Sequence, residues 1–118
     1  MILKYFKTKP DVKSPVFSTP NSACFDIHAY LKEDREEVIT YNKINQDGWT
    51  QIFSERAIIS PGLRALIPTG LILDIPNGYS VRLHPRSGNS LKNGFTLANA
   101  EGVIDSDYHD EIAVKLFN

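Results

Sequence analysis

Residues 60–83, SPGLRALIPTGLILDIPNGYSVRL, decide the fold class of this chain. Turn signals at 60–62, 68–70 and 75–78 each precede a short apolar run that is rich in branched side chains. Proline fixes φ and glycine accepts positive φ, so these clusters end one strand and begin the next. The stretch therefore predicts tight antiparallel connections between three strands, at 63–67, 71–75 and 79–83.

The same pattern continues on both sides of this stretch. Seven prolines and seven glycines recur through the sequence and separate short runs in which branched and aromatic residues predominate. Many short strands predict an all-β sandwich, barrel or jelly roll with few or no helices. The further strands are predicted at 2–6, 24–30, 38–41, 49–53 and 112–117.

Residues 33–55 interrupt the regular spacing of the strands. The charged run KEDREE at 32–37 could begin a helix, but no apolar period of 3.6 continues it and the residues that follow are β-prone. We interpret the run as a solvated loop. The polar segment 33–55 as a whole is interpreted as a surface insertion that forms a hairpin around Trp49.

The composition fits a single domain, residues 1–118, and excludes several classes of partner. The chain is 42% hydrophobic, which suffices for one modest core. Thirteen basic and fourteen acidic residues leave a net charge of -1, so no broad basic field is available for a nucleic-acid polymer. The N-terminus has no apolar run long enough for a signal peptide or a membrane span. We therefore expect a soluble cytoplasmic protein without membrane contact, or a host-cytoplasmic one if it is virally encoded.

Three polar segments carry groups that suit a phosphate-bearing substrate. In the first, residues 22–29, Asp26 interrupts an apolar strand pattern. Two interpretations stay open for this residue. It is either a carboxylate satisfied by backbone amides or an arginine, or one that contacts the water shell of a metal ion. The neighbouring Cys24 is the only cysteine, and its place in a predicted strand favours a buried, inert thiol.

The next segment, residues 84–90, places a guanidinium, two hydroxyls and a glycine within a few positions. Arg86, Ser87 and the Gly88 amide can hold phosphate oxygens, although an ordinary polar turn has the same composition. The Walker spacing GxxxxGKS/T is absent and we expect no helix after the segment. The sequence therefore excludes a P-loop mechanism.

The third segment, residues 99–112, contains four acids and a tyrosine after Gly102, which is hard to explain as ordinary sheet or turn. The pattern DxDxDG of a calcium-binding EF-hand is absent, which disfavours a Ca²⁺ loop. The three histidines, at 28, 84 and 109, lack the paired spacing of zinc ligands. A zinc site is therefore disfavoured.

Taken in order, the three segments resemble the first three of the five motifs of the homotrimeric dUTPase family. The first motif of the family resembles AGxDL and is matched at 23–27, and the PRSG of its second motif is matched without change at 85–88. The third motif resembles GVIDSDYRGE and is matched at 102–108 and again at Glu111. The turns between the first and second motifs also resemble those of the family.

This resemblance implies a distorted jelly-roll or β-clip subunit in a homotrimer whose three sites lie between subunits. It implies an Mg²⁺-dependent enzyme that hydrolyses dUTP to dUMP and pyrophosphate, which keeps uracil out of DNA and supplies dUMP for dTMP synthesis. Asp105 resembles the catalytic carboxylate that orients and deprotonates the attacking water, close to the partner subunit's Ser87. Arg86, Ser87 and Gly88 resemble the groups that hold phosphate oxygens, and Asp26 resembles the one that touches Mg²⁺ through water.

The resemblance also implies how the base and the sugar are recognised. Asn99 and the backbone of Val103 and Ile104 resemble the groups that hydrogen-bond uracil, where cytosine would leave buried groups unpaired. Tyr108 resembles the ring that stacks on deoxyribose and leaves no room for a 2′-hydroxyl. We therefore expect selection of dUTP over dCTP, dTTP and UTP.

The chain also departs from the family pattern. Cys24 replaces a glycine of the first motif, His109 and Asp110 replace Arg-Gly in the third, and 33–55 resembles an insertion. Beyond Asn118 the family continues into a fourth motif resembling GDRIAQ and a fifth resembling RGxxGFGSTG. The fourth contributes a phosphate-contacting glutamine and the fifth closes over the nucleotide, so we expect the 118 residues to be impaired alone.

Two alternatives stay open. The dCTP deaminases share the fold and the trimer, but the position of their catalytic glutamate in the last strand corresponds to Lys115 here. A lysine cannot do the work of that glutamate. The other alternative is a non-catalytic nucleotide-binding or regulatory protein with the same fold, because the fourth and fifth motifs are absent from these 118 residues.

Overall fold

The computed structural model describes residues 1–32, 38–41, 52–53 and 56–118. These residues form twelve short strands and a single seven-residue helix. In chain order the elements are β1 (Lys4–Lys7), β2 (Val16–Phe17), β3 (Phe25–Asp26), β4 (Ile39–Tyr41), β5 (Ile52–Phe53), β6 (Arg56–Ala57), β7 (Arg64–Pro68), β8 (Leu71–Asp74), β9 (Ser80–Leu83), α1 (Ser87–Asn93), β10 (Thr96–Leu97), β11 (Gly102–Asp105) and β12 (Ala113–Phe117).

The largest sheet has four strands in the order β10-β12-β7-β4. Its neighbours are all antiparallel, with Val114 opposite Ile67 and Thr40 opposite Ala65. Four antiparallel ribbons complete the described part: β1 with β8, β2 with β3, β5 with β6, and β9 with β11. The predicted all-β class with few helices is confirmed. Within the described ranges, no helix is long and apolar enough to cross a bilayer.

The turns predicted from proline and glycine lie where the sequence places them. Gly62 and Gly70 have φ of +80° and +72°, a left-handed conformation that glycine adopts at little cost. The strands β7, β8 and β9 follow the three turns, and each end lies within one residue of its predicted position. Local turn chemistry therefore determines this part of the framework.

Two predictions about local structure are wrong. The strand predicted at 24–30 is limited to Phe25–Asp26, because the chain then leaves the ribbon, and the Tyr30 N–H bonds the Pro68 carbonyl at 2.8 Å. A helix, which the sequence pattern did not predict, begins within the segment 84–90, since α1 starts at Ser87. None of its residues is buried, so no apolar period announces it in the sequence.

The segment 33–55 is described only at 38–41 and 52–53. The strand β4 pairs with β7 in the four-stranded sheet, and Val38 and Thr40 are buried at 2% and 3% exposure. The strand predicted at 38–41 is therefore present. The strand β5 lies inside the strand predicted at 49–53. The alternative of a helix, the hairpin around Trp49 and the extent of the insertion fall outside the described residues.

The buried side chains form three clusters. The first supports the ribbon of β9 and β11, and the other two lie under β8 and β7, respectively. Their buried members are Leu73, Ile75, Ile104 and Ile112 in the first, Val12, Tyr30 and Leu71 in the second, and Val38, Ala65 and Ile67 in the third. The third polar segment of the sequence is therefore built on a packed apolar base.

Candidate active site

A cavity of about 210 Å³ lies beside β11. Five of the residues predicted for the site form part of its wall, and all five come from one stretch of the chain. They are Asn99, Val103, Ile104, Asp105 and Tyr108. The folded chain therefore brings together the groups predicted to recognise the base and sugar and the predicted catalytic carboxylate.

The pairing of β11 with β9 sets the directions of these side chains. Gly102 lies opposite Leu83 and Asp105 lies opposite Ser80. Burial alternates along β11, so Ile104 faces the core whereas Asp105 is exposed. A Cβ at Gly102 would lie 3.2 Å from the Leu83 Cβ, which explains the need for a small residue. Residues 102–105 therefore form sheet, which corrects our interpretation of this acidic segment.

Tyr108 lies in the turn after β11. Its N–H donates to the Asp105 carbonyl at 3.2 Å, and its hydroxyl donates to the Glu111 carbonyl at 2.9 Å. The Glu111 carboxylate accepts a hydrogen bond from the Gly70 N–H at 2.7 Å, which ties this turn to the turn between β7 and β8. These bonds hold the ring, which is 43% exposed, in the wall of the cavity.

The turn before β11 presents Asn99. The Ala100 N–H donates to the Leu97 carbonyl at 3.1 Å, and the Glu101 N–H donates to the Asn99 carbonyl at 2.6 Å. Ala100 has φ of +60°, and no other non-glycine residue in the described ranges has positive φ. An L-residue other than glycine is strained in this conformation, so the surroundings must hold it there.

The Glu101 side chain joins this turn to β9. Arg82 Nη1 donates to Glu101 Oε1, and His84 Nε2 lies 3.5 Å from Glu101 Oε2. All three side chains are partly exposed. The sequence does not reveal this group, because it is the register of β9 against β11 that brings Glu101 close to Arg82 and His84.

Another polar group surrounds Asp26. The Ser18 hydroxyl donates to Asp26 Oδ2 at 2.6 Å, and Arg86 Nε lies 3.7 Å from Asp26 Oδ1. The first and second motifs therefore meet in the folded chain. An arginine partner, one of the two interpretations left open for Asp26, is observed. Its contact with a metal-bound water stays a prediction.

Arg86, Ser87 and Gly88 are absent from the described lining of the cavity. The strand β9 runs from Ser80, beside Asp105, to Leu83. The second motif follows Leu83, at the opposite end of β9 from Ser80. At about 3.3 Å per residue, the two ends of β9 are roughly 10 Å apart. Within one chain, the pairing of β9 with β11 therefore keeps the second motif away from Asp105.

Among the described residues, no three His, Cys, Asp or Glu side chains are grouped so that they could hold a metal ion. Proteins commonly hold Mg²⁺ with one or two carboxylates together with substrate phosphates and water. Asp26 offers one carboxylate whose side chain is 24% exposed. This donor fits an ion that is held mainly by a phosphate ligand.

Cys24 is exposed, so the prediction of a buried thiol is wrong. The reason is that β3 begins at Phe25 and the preceding residues form a turn. The sequence also does not reveal the rest of the cavity wall, to which β9, β10 and β12 contribute. These additional lining residues are Leu83, Leu97, Gly102, Ile112, Ala113, Val114 and Lys115.

Comparison with protein families gives a match between residues 35–118 and the dUTPase family model. Deoxyuridine 5'-triphosphate nucleotidohydrolase from Brucella melitensis is 42% identical over 104 residues, which cover 88% of this chain and 54% of the relative. The protein of the same name from Caulobacter vibrioides is 33% identical over 115 residues, 98% of this chain and 61% of the relative. The chain thus spans between about half and three fifths of the length of these relatives.

Solved structures with a similar fold include dUTPases of staphylococcal phages. A mutant dUTPase from phage phi11 of S. aureus superposes with a TM-score of 0.69 at 22% identity, over 100% of this chain and 60% of that one. The Staphylococcus bacteriophage 80alpha dUTPase gives 0.66 at 22% identity, over 98% and 57%. The phi11 protein coordinates a structural Mg(II) ion. These likenesses confirm the predicted β fold.

Proposed function

The chain belongs to the dUTPase family, and on this premise we propose that it forms part of an enzyme that hydrolyses dUTP to dUMP and pyrophosphate. The observation that carries the proposal is the cavity beside β11. Its 210 Å³ is smaller than the roughly 300–1,000 Å³ of pockets that enclose a drug-sized ligand. A single-ring base fits this space, whereas the triphosphate would extend outside it.

The groups in the wall suit a uracil base on a deoxyribose. Asn99 and the backbone of Val103 and Ile104 supply donors and acceptors for the edge of the base. Cytosine presents the opposite donor pattern and would leave buried groups unpaired, which costs about 1–3 kcal/mol for each neutral group. Tyr108 supplies a ring for the sugar, held by its hydrogen bond to the Glu111 carbonyl.

Asp105 is the proposed catalytic residue. Its exposed carboxylate shares the wall with Tyr108 and accepts a hydrogen bond from the water that attacks the α-phosphorus. Arg86, Ser87 and the Gly88 amide hold phosphate oxygens, and Asp26 holds waters of the metal ion. Mg²⁺, when bound to the triphosphate, offsets the charge of the phosphates.

We also propose that the active form is a homotrimer in which the second motif of one subunit completes the cavity of another. The separation of Asp105 from Ser87 along the β9–β11 ribbon supports this arrangement. Exposed apolar side chains support association, among them Ile2 at 77% and Phe17 at 62% exposure. Contacts between subunits would remove such side chains from water.

Deamination of dCTP is disfavoured by the place of Lys115 in the fold. This residue, at the position of the deaminase glutamate, lines the cavity itself. A lysine ammonium donates hydrogen bonds and accepts none, so it cannot take a proton from water there. Hydrolysis of dUTP requires no glutamate at this position.

An assay of pyrophosphate release by the full-length protein tests the proposal. We expect release from dUTP in the presence of Mg²⁺, little release from dCTP, dTTP or UTP, and loss of activity on chelation. Light scattering on the same sample should give three times the subunit mass. Equal turnover of dCTP and dUTP would contradict the proposed function, and full activity as a monomer would contradict the shared site.

Substitution of Tyr108 by alanine tests recognition of the sugar. We expect kcat/KM for UTP to approach that for dUTP, because the ring that excludes a 2′-hydroxyl is gone. Loss of this steric exclusion should lower the ratio of kcat/KM for dUTP to kcat/KM for UTP by about 10–100-fold. Tyr108→Phe is the matched control, since it keeps the ring and removes only the hydrogen bond to Glu111. A ratio that is unchanged in Tyr108→Ala would show that the sugar is recognised elsewhere.

A further inference from the structure

We propose that Glu101 is a positioning residue. It holds the turn before β11 that presents Asn99, here called the base-reading turn, in its binding conformation. This inference rests on the proposed function, because the turn it holds is the one that presents Asn99 to the base. The observations are the contacts of the Glu101 carboxylate with Arg82 and His84 and the positive φ of Ala100. Glu101 itself does not line the cavity, so it acts through its neighbours.

The turn needs an anchor because its backbone is strained. Ala100 sits between Asn99 and Glu101 in a left-handed conformation that alanine adopts rarely. Without a restraint, the residue would relax toward negative φ and turn the Asn99 peptide and side chain away from the cavity. Glu101 immediately follows the strained residue, so the contacts of its side chain hold the chain on the C-terminal side of Ala100 and oppose this relaxation.

The geometry of the ribbon makes Glu101 suited to this task. Val103 lies opposite Arg82, and two residues earlier on the same face Glu101 reaches both Arg82 and His84. One carboxylate therefore holds two side chains of the opposite segment. His84 lies two residues before Arg86, so Glu101 also ties the base-reading turn to the phosphate-binding segment of the same chain.

Amide hydrogen exchange tests the anchor without reference to activity. In Glu101→Ala we expect the Ala100 and Glu101 amides to exchange about two- to fivefold faster, within the range for loss of an exposed ion pair. Glu101→Gln keeps an acceptor for Arg82 and should give an intermediate rate. Exchange in β7 should not change. Rates at Ala100 and Glu101 equal to those of the unmodified protein would overturn the inference.

Kinetics on the protein at its natural length test the consequence for recognition. We expect Glu101→Ala to raise KM for dUTP by about two- to fivefold, with kcat reduced less than about twofold, and to lower the preference for dUTP over dCTP. Asp11→Asn removes an exposed ion pair with Lys32 far along the chain and is the matched control, with an unchanged KM. A fall in kcat alone would overturn the inference and assign Glu101 a different role.

Adding Ala100→Gly to Glu101→Ala separates positioning from general stability. Glycine populates positive φ far more readily than alanine. The double variant should therefore bring KM for dUTP, and the preference for dUTP over dCTP, most of the way back to the values of the unmodified protein. No recovery would overturn the inference. The outcome is distinct from failure of the proposed function, because an unmodified protein that releases no pyrophosphate would refute that function, whereas the exchange rates still decide whether Glu101 holds the turn.

Discussion

Asp105→Asn is expected to lower kcat for dUTP by about 10²–10⁴-fold, the usual contribution of a general base. The amide keeps the size of the side chain but cannot take a proton from water. Because Asp105 is exposed at the end of β11, folding should not change. Binding of a non-hydrolysable dUTP analogue, measured by calorimetry, should change less than about threefold, since the carboxylate acts on water.

A neighbouring acid provides the control for this substitution. Asp107 is also exposed and lies two residues further along, but it is not part of the described cavity wall. Asp107→Asn makes the same change in charge and should keep nearly full kcat. If both variants lost activity equally, a general loss of negative charge would explain the effect and Asp105 would have no special role.

Gly70→Ala is expected to be among the most destabilising single substitutions in the chain. Gly70 is buried with φ of +72°, and a Cβ there would overlap Val12 Cγ2. Val12 is 2% exposed and packs on Leu71, and its branched side chain has little freedom to rotate away. The left-handed backbone costs alanine about 1–2 kcal/mol and overpacking adds about 1–3 kcal/mol to the loss in free energy of unfolding.

Gly62→Ala is the matched control for the backbone term. Gly62 has a similar φ of +80°, yet an added Cβ would meet no atom within 4 Å. The difference in free energy of unfolding between the two variants, measured with urea, therefore gives the cost of the overlap with Val12. Only Gly70→Ala should lose more free energy of unfolding than the left-handed backbone alone costs. Equal losses would mean that the region around Val12 adapts freely, in conflict with its packing against Leu71.

The candidate site was predicted in part. The order of the motifs predicted Asp26, Arg86 and Asp105 as site residues; the structure joins Asp26 to Arg86 and places Asp105 in a cavity with Tyr108, and their roles stay predictions. The helix α1 was missed because its residues bury nothing, so the sequence carries no apolar period there. The burial of Cys24 was predicted wrongly because its apolar neighbours imitate a strand that begins only at Phe25.

The strands β7, β8 and β9 and the turns between them follow from local sequence alone, because proline fixes φ and glycine accepts positive φ whatever the rest of the chain does. The contacts of Glu101 with Arg82 and His84, and the place of Lys115 in the cavity wall, arise only in the folded chain. These contacts join residues that lie many positions apart. Their geometry depends on the register between strands, which is set by the packing of all their side chains together and leaves no local signal.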